Sequence, residues 1–242
     1  MKHFTRISAV AAGSALALGL LAGPALADGT APAATSSPTA STTTGNGLAA
    51  VKTLAGTRIN GRLAELHALQ LAVSAAANLT SSDKSTLNSL LSSDLTGLTA
   101  LGDKISSDST VQSVRADEVT MVDTYRVYLL VAPKTHLSIV FDDEAAVITK
   151  LQTVYSTLSA ALTKAGGGTS AEQAQLADMQ TQITAAQTGL NGRESTLLAI
   201  QPGPDATTIT GQVKTLRTSA QGVRKDLGAA VADAKALRAD LK

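Results

Sequence analysis

The chain contains no cysteine and no tryptophan. Without cysteine there is no disulfide, no thiolate metal site and no lipid attached at a cysteine. Aromatic residues make up only 2% of the 242 residues. Beyond position 27 the aromatics are Tyr125, Tyr128, Phe141 and Tyr155, all within one short stretch. Sites that stack bases or sugars on aromatic faces are therefore disfavoured elsewhere. Charged residues are also sparse, at 16%, and they balance to a net charge of +1. Such a chain has no general attraction for nucleic acid or anionic lipid. No metal or cofactor is expected, because His67 and His136, the histidines beyond position 27, have no partners at zinc-ligand spacing.

What the chain does have begins at its N-terminus. Lys2 and Arg6 precede an apolar or small run from Ile7 to Ala22, and Ala25-Leu26-Ala27 supplies small residues at the positions a signal peptidase reads. Residues 1–27 are expected to be a secretory signal peptide cut after Ala27. The run is short and glycine-bearing for a permanent membrane span, which needs about 20 residues. No twin arginine is present, so the general secretory route is expected. The C-terminal residues carry no apolar tail or wall-sorting signal. The expected product is secreted or held non-covalently at the cell envelope, with no membrane contact after cleavage. Losing Lys2 and Arg6 leaves it slightly acidic.

Residues 28–47 are Ala, Ser, Thr, Pro and Gly apart from Asn46 and one charge, Asp28. They cannot bury a core and are expected to form a flexible linker, either bare or carrying O-linked sugar. From Leu48 the apolar period becomes helical, and the fold expected is all-α: an elongated up-and-down antiparallel bundle of about five long helices. A helix over 48–78 and one over about 81–106 would form a hairpin spanning 48–107, with Thr80 and Asp83 starting the second. Three further helices would bundle over 134–242. The first ends at Gly166-Gly167-Gly168, and Thr169 with Glu172 forms a capping box for the next. The last, opened by Asp205 after Pro202-Gly203-Pro204, repeats apolar residues at four- and three-residue steps from Ile209 to Leu241. That spacing is the seam of coiled-coil packing.

Residues 108–133 break the pattern. Thr124 to Val131 is dense in β-branched and aromatic residues, and Pro133 follows. An extended crossover near 119–133 is expected, with a hairpin or a helix kinked at Pro133 as the other options. Tyr125, Arg126, Tyr128, Pro133, His136 and Phe141 are the candidate interaction or junction residues, read either as a site or as the bulky filling a crossover needs. The stretch Tyr125 to Leu137, together with the leader and the Ala/Leu helices, resembles a loose set of secreted helical proteins from high-GC Gram-positive bacteria. That resemblance implies a compartment and a shape, but no activity and no functional residues.

No catalytic motif is legible. His136 lies near Asp142, Asp143 and Glu144, but no serine stands on a nucleophile elbow. The three acids are consecutive on a helix, so they point about 100° apart and cannot converge on one ion; they and Asp117-Glu118 read as solvated faces. Arg224, Lys225 and Arg238 offer either contacts to an anionic wall polymer or another solvated face. The function expected is a non-enzymatic, envelope-associated structural or interaction module, with a cell-wall polymer or a secreted protein as partner. The alternatives are a membrane-active protein using the apolar 125–141 segment, and a hydrolase or transferase without a recognisable motif.

Overall fold

The computed structural model describes residues 44–241; the expected signal peptide and most of the expected linker lie outside the described residues. The described chain is all-α. Its helices are α1 (Thr44–Ala75), α2 (Ser81–Ser107), α3 (Val111–Thr120), α4 (Ala132–Lys164), α5 (Ser170–Leu190), α6 (Arg193–Ala199) and α7 (Ala206–Asp240). α1 starts within the last four residues expected of the linker.

α1 and α2 form the expected hairpin. Lys52 Nζ donates to Ser106 O, Ile59 lies against Gly102, and Gln70 donates to Ser92 Oγ. Partner numbers fall as α1 numbers rise, so the helices are antiparallel. Thr80 caps α2, its hydroxyl accepting from Asp83 N at 3.1 Å. Ile59, Leu66, Leu69 and Val73 bury against Leu87, Leu91, Leu98 and Ile105.

α4, α5 and α7 make the second bundle. Phe141 shares a cluster with Val213 and Ala220, and Ile148, Leu158 and Leu162 share one with Val223, Leu227 and Leu237. Numbers along α4 and α7 rise together, so these helices run parallel, with α5 returning between them. The capping box at Thr169 and Glu172 is formed, and Thr208 N donates to Asp205 Oδ1 at 2.9 Å to start α7.

Two expectations are corrected. The helix expected between the Thr169 cap and Pro202 is interrupted at Asn191-Gly192; Gly192 adopts φ 71°, a left-handed conformation that glycine takes without steric cost. The larger correction concerns 119–133, which is neither extended nor a hairpin. α3 runs through two π-helical turns, Met121–Tyr125 and Val127–Val131, directly into α4. The break falls at Arg126 (φ 43°, ψ 38°), while Pro133 sits in the first turn of α4, where its missing N–H costs nothing. Strand propensity spans only about 1 kcal/mol. Burial of Met121, Val127, Leu130 and Val131 in the helical core outweighs it.

Candidate functional site

The junction between the hairpin and the second bundle is built on the two π turns. A π turn carries one extra residue per turn and re-aims the side chains beyond it. Arg126 between them is the one non-glycine residue with positive φ among the described residues. Left-handed backbone costs a side-chain-bearing residue about 1–2 kcal/mol, and here the guanidinium offsets that cost. Nε donates to Gly203 O at 2.8 Å; Nη2 donates to Pro204 O at 2.9 Å and to Asp123 Oδ1 at 2.8 Å. Arg126 thus ties the junction to the loop that opens α7. Arg126→Gly is expected to be more stable than Arg126→Ala by about 1 kcal/mol, since both lose the clamp but only alanine keeps the strain; paired urea melts measure the difference.

The other expected residues divide by environment. Phe141 is 2% exposed and Pro133 is buried; both are core. His136 is exposed on α4. Tyr128 is 54% exposed, its ring beneath the Arg62 guanidinium at 5.3 Å and its hydroxyl over Gly61, where an added Cβ would stand 3.2 Å away. Tyr125 is half-buried, and its ring lies so close to Gly97 that any Cβ there would displace it. The structure therefore does not bring the six together into one cleft.

Sequence reasoning missed the polar groups under the junction. Lys134 is 5% exposed; its ammonium donates to Leu198 O at 3.0 Å and Ile200 O at 2.7 Å, holding the end of α6. Burial pushes this ammonium down from its ordinary range, against the nearby carboxylates of Asp94 and Glu194. Asp94, 9% exposed on α2, is pushed up to about 6 by burial, with Lys134 opposing. Ser138 Oγ donates to Glu194 Oε1 at 2.6 Å, and burial pushes Glu194 up to about 7 despite that bond. Glu144 is likewise raised by burial to about 7, although Arg224 Nε donates to it at 3.1 Å.

The two acidic runs are corrected here as well. Asp142 accepts from Thr80 N at 2.7 Å and Asp143 from Asn78 Nδ2 at 2.8 Å, so both anchor the α1–α2 turn while Glu144 faces α7. Asp117 is buried on the Lys104 ammonium, and Glu118 pairs with Arg58, which fastens α3 to α1 and α2. These are structural ties, and they replace the solvated faces expected from sequence. Among the described residues no three His, Asp or Glu side chains gather as metal ligands, and no helix is long and apolar enough to cross a membrane.

Comparison with known protein families, curated proteins and solved structures finds no match. The reading of function rests on the site itself. The buried cations hold carbonyls, and the segment 125–141 buries Val127, Leu130, Leu137 and Phe141 within the fold. Asp94, Lys134 and Tyr125 border a recess at this junction.

Proposed function

We propose that the chain is an exported, non-enzymatic helical module of the cell envelope that holds an anionic wall polymer along α7. The observation that carries this reading is the sorting of charge around that helix. At about 100° per residue, Lys214, Arg217, Arg224, Lys225, Lys235 and Arg238 fall within an arc of about 140°, and Asp226, Asp233 and Asp240 fall within about 40° on the other flank. Lys214, Arg224, Lys225, Lys235 and Arg238 are exposed and Arg217 is half-buried; of the six, only Arg224 has an ion-pair partner among the described residues, Glu144. The stripe from 214 to 238 rises about 36 Å, so one stretch of polymer meets several cations in succession.

The rest of the molecule fits this role. With overall charge near neutral, attraction is local to the stripe and strongly dependent on salt. The exposed Tyr128 ring with the half-buried Arg62 adds a cation–aromatic pair at the junction. The interior lysine and arginine at the junction are committed to structural bonds, which leaves surface recognition as the function the geometry best supports.

Retention of residues 28–242 by purified wall tests the reading. Binding is expected at about 20 mM salt and its loss at about 500 mM. Lys214→Glu, Lys225→Glu and Lys235→Glu combined, all at exposed positions, are expected to reduce retention at least about tenfold with the helical circular dichroism unchanged. Equal retention of the variant would remove the proposal.

A further inference from the structure

Between α2, the second π turn, the start of α4 and the end of α6 lies a recess of about 140 Å³. Asp94 and Lys134 lie at its polar end, Leu90, Leu130 and Leu198 make its apolar side, and Tyr125 borders it. Asp94 stands on the buried stripe of α2 with only 9% exposure, and its Oδ2 is buried without a hydrogen-bond partner. An acceptor left this way costs about 1–3 kcal/mol relative to one that is satisfied. Lys134 does not satisfy it, because its ammonium donates to Leu198 O and Ile200 O and makes no ion pair with Asp94. Three other polar side chains line the recess, and none bonds to Asp94: Thr86 and Gln201 are exposed, and Tyr125 packs over Gly97.

The charge in the recess is nevertheless balanced, one carboxylate against one ammonium. A cationic guest would meet the field of Lys134, and an anionic guest that of Asp94. A neutral guest meets neither penalty, provided it brings a donor for Asp94 Oδ2. The apolar walls and the volume set the remainder, since a cavity of about 150 Å³ takes a benzene-sized molecule. The geometry points to a binding site for a small neutral hydroxyl compound, an aliphatic alcohol or a phenol, whose O–H donates to Asp94 while its apolar body lies on Leu90, Leu130 and Leu198. The site is separate from the α7 stripe, so either proposal stands if the other fails.

Ligand-observed NMR on the full chain with four matched probes tests this: benzyl alcohol, toluene, benzylammonium and benzoate. Benzyl alcohol is expected to bind at least about tenfold more tightly than each of the others, a difference of about 1.4 kcal/mol. Asp94→Leu is expected to weaken benzyl alcohol by a similar factor while leaving toluene unchanged or improved. Benzyl alcohol binding no tighter than toluene overturns the site, as does a charged probe binding best, or a folded Asp94→Leu chain that keeps its affinity for the alcohol. The four-probe ranking on the unmodified chain decides the matter even if the variant does not fold.

Discussion

Lys134→Met is expected to lower the unfolding free energy by about 3 kcal/mol. Methionine matches the lysine stem in length and apolar character, so no cavity forms and the loss isolates the ammonium. Two carbonyls, Leu198 O and Ile200 O, lose their donor at the end of α6, where Ile200 is only 5% exposed. Each orphaned buried acceptor costs about 1–3 kcal/mol. Asp94 also loses the positive charge that opposes its burial. Urea denaturation should show a lower midpoint with an unchanged slope, since the surface exposed on unfolding is the same. Asp94→Leu added to Lys134→Met should recover part of the loss, because the uncompensated carboxylate is then gone; a double-mutant cycle measures that coupling. A Lys134→Met change below about 1 kcal/mol would show that the two carbonyls find water instead.

The same two residues show where the sequence was legible and where it was not. α7 could be read almost residue by residue, because its apolar steps repeat from Ile209 to Leu237 and each of those positions is buried. The caps at Thr80, Thr169 and Asp205 were legible for a local reason: a hydroxyl or carboxylate three residues before a free N–H needs no tertiary information. Asp94 was hidden by the stripe itself. The buried register of α2 runs Leu87, Leu91, Asp94, Leu98, Leu101 and Ile105, and reading Leu95 into it gives an apolar stripe that conceals the carboxylate. The signal was there: a carboxylate three residues after one buried leucine and four before the next. Lys134 offered a similar signal, a lone cation in the run from Val127 to Ile139. The path of 119–133 was not local information. Its β-branched and aromatic residues favour extended backbone by little, and the helical path is decided by partners on α1, α2 and α7 that lie far off in sequence.

Stability is expected to rise by about 3 kcal/mol as pH falls from about 8 to about 5. Burial raises Asp94 to about 6 and Glu144 and Glu194 to about 7, against ordinary values of 3.8 and 4.5. At pH 8 all three are ionised in the folded and the unfolded chain, and the folded chain carries the full cost of burying them. As pH falls through about 7 and then 6, the folded chain takes up protons that the unfolded chain does not, so folding is favoured. The gain is complete once the unfolded carboxyls also protonate, below about pH 4. The total is well below the sum of three full shifts, because solvent still reaches part of each group. Glu172 and Asp205 act in the opposite sense. Their carboxylates, held down by the cap bonds to Thr169 and Thr208, lose their contribution only as pH falls below the ordinary carboxylate range. The stability maximum should therefore lie near pH 5, on the acidic side of neutrality. Glu194→Gln keeps an acceptor for the Ser138 hydroxyl while removing the charge. It should stabilise the chain at pH 8 and flatten the rise toward pH 5, and Glu144→Gln, which removes a carboxyl raised to the same value, should flatten it to a similar extent. Urea melts of the three chains at pH 8, 6.5 and 5 measure the slopes; a stability that is level or falls toward pH 5 would show that these carboxyls are solvated in the folded chain.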